Sequence, residues 1–190
     1  IKDNCWGIEP MKWSFIILSV LVSLNGQSDQ IFVGTRPLSM GGAFIAVADD
    51  ANAITWNSAG LPGLRRTEFT STYADLYAMN INQSYFGFVR PFSDRIALGI
   101  DWSNLGFEDS ELMYSENKLN FALGIQAHRK FSFGLTLKYL MRDMQLDGTS
   151  YGKSSGIGYD AGIIYQPLKI LKVGLGCLLY TSDAADDLWC

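Results

Sequence analysis

Histidine is almost absent from this chain, and cysteine is sparse. His128 is the one histidine in 190 residues, which removes a histidine-rich metal site and deprives a histidine-based dyad of its base. Cys5, Cys177 and Cys190 are too scattered for a zinc site or a disulfide framework. Charged residues make up only 18%, where about a quarter is usual in a soluble domain, and 48% are hydrophobic, which excludes disorder. The formal net charge of -4, from 15 basic and 19 acidic residues, argues against a nucleic-acid partner. No apolar run reaches the ~20 residues that a membrane-spanning helix needs.

Both ends differ from the middle. Met11-Lys12-Trp13-Ser14 opens an apolar run through Leu24, followed by Gly26 and Ser28 at a small-residue exit. This is the three-part pattern of a secretory signal peptide, so residues 11–28 are expected to be a leader and residues 1–10 upstream translation foreign to the protein. Residues 177–190 contain Cys177-Leu178-Leu179-Tyr180-Thr181-Ser182-Asp183-Ala184-Ala185-Asp186-Asp187, which resembles the translation of a sequencing adapter. Setting both ends aside removes Lys2, Lys12, Asp3, Glu9, Asp183, Asp186 and Asp187, leaving 13 basic and 14 acidic residues and no cysteine.

What is abundant is alternation. Ile96, Leu98, Ile100 and Trp102 alternate with Ala97, Gly99, Asp101 and Ser103. The same period of two runs through 119–128, 131–142, 157–166 and 171–176, with noisier strands at 69–77 and 81–90. One face is Leu, Ile, Phe and Tyr; the other is Gly, Ala, Ser and Asn with few charges. Strands of about 9–11 residues match the length of tilted bilayer-crossing strands. Tight turns at 91–94, 129–130 and 167–169 alternate with two polar stretches, 103–117 and 143–155, expected to be long loops carrying Glu108, Asp109, Glu111, Glu116 and Asp147. Trp102, Phe131, Tyr139 and Tyr165 near the strand ends fit interfacial girdles. The expected fold is an all-β transmembrane antiparallel barrel. About seven strands fall within residues 67–176, the N-terminal half of a longer barrel, since bacterial barrels have an even number of eight or more. A soluble β-sandwich or lipocalin-like barrel also alternates, but its outward face should carry charges.

Residues 29–66 do not alternate. Ser39 is expected to cap a helix running to about Ala48, with Gly41 and Gly42 allowing close approach to another backbone, and Asp49 and Asp50 capping the next turn. With no Lys or Arg between Arg36 and Arg65, this piece suits the inside of a barrel better than a membrane surface.

The run Gly34-Thr35-Arg36-Pro37-Leu38-Ser39-Met40-Gly41-Gly42-Ala43-Phe44-Ile45-Ala46-Val47-Ala48-Asp49-Asp50-Ala51-Asn52-Ala53-Ile54-Thr55-Trp56-Asn57 resembles the N-terminal hatch of the FadL-like outer-membrane proteins, in particular the PorV/PorQ branch. The family pattern continues Asn-Pro-Ala-Gly; here Asn57-Ser58-Ala59-Gly60 has Ser in place of Pro. The resemblance implies a 14-stranded barrel of the bacterial outer membrane with a lumenal hatch. It also implies either passive transport of hydrophobic molecules such as long-chain fatty acids, or a part in type IX secretion and surface attachment of cargo proteins. Gly34, Arg36, Gly41, Gly42, Asp49, Asp50, Asn57 and Gly60 are then the candidate hatch and gating residues. Asp101, Lys138, Asp160 and Lys172 are polar residues on the small, lumenal face, where they must pair, meet water or touch the hatch. The expected partners are outer-membrane lipid and hydrophobic small molecules.

No catalytic constellation is legible, so neither a cofactor nor an enzymatic role is expected. Gly156-Ile157-Gly158-Tyr159-Asp160-Ala161 formally fits a dinucleotide fingerprint but lies in a strand pattern rather than opening a helix. His128 reads as a solvated turn residue, and Glu108, Asp109 and Glu111 as a solvated loop rather than a cation site.

Overall fold

The computed structural model describes residues 33–76, 78–109, 112–146 and 149–178. The expected leader, the residues before it and all of the tail but Cys177 and Leu178 lie outside the described residues. Seven strands follow one another in a single antiparallel meander: β1 (Glu68–Leu76), β2 (Ile81–Ser93), β3 (Ile96–Glu108), β4 (Leu112–His128), β5 (Phe131–Leu146), β6 (Thr149–Leu168) and β7 (Leu171–Leu178). The sheet forms half a barrel. Among the described residues β1 and β7 each have one neighbouring strand, so closure needs further pairing at both edges.

The alternating stretches are the strands, but the two long polar loops do not exist as loops. β4 runs 17 residues, β5 16 and β6 20. Residues 103–108 pair with 113–118, and 141–146 with 149–155, so the polar stretches are arms of antiparallel hairpins. The Asp109 amide, just past the end of β3, donates to the Leu112 carbonyl at the start of β4 at 2.9 Å. A ladder needs only backbone hydrogen bonds; where both faces are polar the hydrophobic period fades while the pairing goes on.

Side-chain chemistry changes along a line across the strands. Phe86, Trp102, Leu119, Tyr139 and Ile157 form one cross-strand row on the outer face; the next row beyond it is Ser84, Asn104, Asn117, Met141 and Ser155. Phe86 stacks on Trp102 with centroids 5.7 Å apart. At the other end Phe131 packs on Phe133 and Tyr165. From Phe131 to Met141 is ten residues, about 33 Å at ~3.3 Å each. Tilted by ~40°, that spans roughly 25 Å of height, the apolar band of a membrane barrel.

The burial is inverted relative to a soluble sheet. Leu135, Leu137, Ile157 and Leu175 are more than half exposed on the outer face, whereas Asp101, Asn120, Thr136, Lys138 and Asp160 are buried on the inner one. The inner face is covered by residues 33–64, which hold most of the apolar core: Phe44, Ala48, Ile54, Trp56, Ala59 and Leu61 pack with Val89, Ala97, Ala122 and Ile164 of the sheet.

This inner segment is less helical than its sequence implies. Its helices are α1 (Thr35–Ser39) and α2 (Ala53–Trp56), followed by a 3₁₀ turn (Ser58–Gly63). Ser39 ends a helix rather than starting one, its hydroxyl donating back to the Arg36 carbonyl. Gly41 and Gly42, at φ 62° and 80°, stop any continuation toward Ala48. A side chain at Gly41 would meet nothing, so it turns the chain rather than permitting a close approach.

Candidate functional site

The contact between the inner segment and the sheet is where the expected site residues gather. The register aligns Ala97, Gly124, Gly134, Gly162 and Gly176 in one row across five strands. The row lies under the chain at residues 57–62. A Cβ at Gly124 would sit 2.6 Å from both the Ser58 carbonyl oxygen and Pro62 Cδ, one at Gly134 would collide with the Ser58–Ala59 backbone, and one at Gly162 with the Asn57 side chain. The small face is therefore a backbone-wide seat. Gly60 plays the same part from the other side, facing the Ala48 carbonyl; its φ is not positive, so proximity rather than conformational freedom requires glycine there.

Asn57 joins three pieces of structure. Its amide donates to the Ile45 carbonyl at 2.9 Å and to the Ile163 carbonyl of β6 at 3.4 Å, while its Oδ1 accepts from the Ala59 amide at 3.1 Å. That last bond opens the 3₁₀ turn and does the work of the missing proline. Trp56 Nε1 donates to the Val33 carbonyl, and its ring meets Phe44 edge-on at 6.2 Å.

Three of the four polar residues expected on the small face are buried there. Asp101 accepts from Thr55 of α2 at 2.7 Å and from Asn120 of β4 at 2.8 Å. Thr136 donates to the Ile54 carbonyl at 3.4 Å. Lys138 and Asp160 pair at 2.6 Å with 5% and 7% of their side chains exposed. So Asp101 touches the inner segment, and Lys138 with Asp160 makes an interstrand ion pair. Lys172 is not gathered with them: it is exposed on β7, lining a cleft of about 140 Å³ shared with Asp49, Lys130 and Gln166.

Arg36, Asp49 and Asp50 form a clamp at the segment's surface. The Arg36 guanidinium donates to Asp49 at 2.6 Å and to Asp50 at 2.8 Å, and lies 5.4 Å from the centre of the Phe44 ring. The two carboxylates, Asp49 first, hold this guanidinium still more firmly protonated than usual. Asp50 also caps the following turn, accepting from the Asn52 amide and side chain. Gly34, at φ 91°, opens α1, where a Cβ would strike Asn52. Half-exposed pairs of this kind are worth less than ~1 kcal/mol each, so the clamp locates the loop more than it stabilises the fold.

A second charged group was expected to be loop and is not. Glu116 is buried in β4, reached by Lys118 at 2.7 Å, Arg142 at 3.0 Å and the Tyr114 hydroxyl at 2.7 Å. Its neighbours at two and 26 positions gave no local signal; only the β4–β5 register brings Arg142 opposite. His128 is exposed at the end of β4, accepting from the Lys130 amide at 3.4 Å. Among the described residues no cluster of His, Cys, Asp and Glu is arranged to hold a metal, and no helix is long and apolar enough to cross a membrane.

No protein-family model matches this chain, and no curated protein matches it either.

Proposed function

We propose that this chain supplies part of a β-barrel of the bacterial outer membrane whose lumen is closed by residues 33–64, and that the barrel passes hydrophobic molecules such as long-chain fatty acids. The observation that carries the reading is the inverted burial: large apolar side chains stand exposed outside while charges sit buried within. Water makes such an arrangement costly and a bilayer makes it favourable, at ~25 cal/mol per Å² of apolar surface. The height of the apolar band and the likeness of residues 34–57 to the FadL-like hatch support the same reading. Transport then requires the inner segment to shift on its glycine seat, with Gly34, Gly41 and Gly42, all at positive φ, as hinges, and needs neither a reaction nor a cofactor.

A second reading has its own support. The β3–β4 and β5–β6 arms extend past the apolar band and carry an ordered charge network around Glu116, with Lys153 and Asp143 paired at 3.0 Å. Such arms suit the docking of protein cargo, as in the PorV/PorQ branch. Uptake separates the two. Cells carrying the complete reading frame should accumulate radiolabelled oleate several-fold faster than cells with an empty vector. Equal uptake removes the transport role and leaves the secretion or attachment role.

A further inference from the structure

Between the cross-strand row of Phe86, Trp102, Leu119, Tyr139 and Ile157 and that of Ile96, Ile125, Phe133 and Ile163, the outer face carries one charged residue. Arg90 stands in the cross-strand row Arg90, Leu98, Leu123, Leu135 and Ala161, with the row Phe88, Ile100, Phe121 and Leu137 beside it. It makes no ion pair with a described residue; its guanidinium lies 5.5 Å from the centre of the Phe92 ring. Phe92 is two positions nearer the β2–β3 turn, so the side chain leans toward the strand end. Beside it runs an apolar groove of about 360 Å³ floored by Phe88, Leu98, Ile100, Phe121 and Leu123.

We infer that this groove is a seat for one glycerophospholipid, its phosphate on the Arg90 guanidinium and an acyl chain along the groove. The inference rests on the membrane reading above. An unpaired cation on a lipid-facing surface must snorkel to the interface. From Arg90 to Ser93 is three residues, about 10 Å along the strand, within the combined reach of an arginine side chain and a headgroup. There the planar guanidinium offers two parallel donors to phosphate oxygens while the Phe92 ring holds its face. The β2–β3, β4–β5 and β6–β7 connections lie at the edge of the apolar band, whereas the hairpin arms at the other end extend past it; the short end of a bacterial barrel faces the periplasm. The leaflet on that side is built of glycerophospholipids, so charge and depth select the same ligand.

The test is native mass spectrometry on the full-length protein in detergent, with an equimolar probe: dioleoylphosphatidylglycerol, dioleoylglycerol, lipid A or inorganic phosphate. Phosphatidylglycerol should be retained about fivefold better than dioleoylglycerol, and about fivefold better by the native protein than by Arg90→Gln, the worth of one arginine near an anionic surface. Arg90→Lys should keep part of the difference. Leu98→Trp, which fills the groove and leaves the cation, should lose retention as well. Equal retention by the native protein and Arg90→Gln overturns the seat, as does lipid A or free phosphate bound as well as phosphatidylglycerol. Flotation of the same preparation with vesicles separates the failures: protein that floats without any Arg90 dependence overturns the seat alone, and protein that does not float overturns the membrane reading with it.

Discussion

Gly134→Val should unseat the inner segment. A Cβ at this position meets the Ser58–Ala59 backbone, which cannot rotate away as a side chain can. Either β5 bends or the segment lifts, and overpacking on this scale costs about 3 kcal/mol. The segment's hold on the sheet is the weaker of the two, because β5 is fixed by ladders on both sides while the segment rests on Asn57, Thr55, Thr136 and the apolar core. Amides of residues 57–64 should therefore lose hydrogen-exchange protection while those of β5 keep theirs. Gly162→Val should do less, since it displaces the Asn57 side chain and not backbone. Gly152→Val, which meets nothing, should change neither. If exchange in residues 57–64 is the same in Gly134→Val as in the native protein, the glycine row is not a seat.

Lys138→Met should be the most damaging of the charge changes. It leaves the Asp160 carboxylate buried without the Lys138 cation, a loss of about 3–5 kcal/mol where a partner is simply removed. The double variant Lys138→Met/Asp160→Leu removes both charges and should recover most of that, because two apolar groups need no compensation. Denaturant midpoints of the native, single and double forms measure the difference. A single-variant loss below ~1 kcal/mol would mean that water reaches the pair and that the segment above it is loosely seated.

These effects depend on features the sequence discloses unevenly. The strand cores were legible because a period of two over ten residues with opposite chemistry on the two faces has few other solutions. The hairpin arms were not, since their faces are alike and the pairing that extends them is recorded in backbone bonds alone. Within the site, Asp101, Lys138 and Asp160 declared themselves as charges on the small face. Thr55 and Asn120, which hold Asp101, did not, because a Thr in a short helix and an Asn in a strand are common where nothing contacts them. The glycine row was within reach: Gly124 stands five residues before the 129–130 turn and Gly134 four after it, so the hairpin alone sets them opposite one another. What no local pattern holds is that residues 57–62, far earlier in the chain, would lie on that row. The inner segment misled for a related reason, its apolar spacing imitating a helix that Gly41 and Gly42 interrupt.

The central claim is that the outer apolar face meets hydrocarbon. A nitroxide at Leu135, exposed by 59% in the middle of that face, tests it most directly. With any native cysteine replaced by Ser and the full-length Leu135→Cys protein labelled in phospholipid vesicles, relaxation by bilayer-dissolved oxygen should be strong. Relaxation by a water-soluble nickel chelate should be weak. Strong relaxation by the chelate, or by neither agent, would place Leu135 in water or in a protein interior and contradict the account.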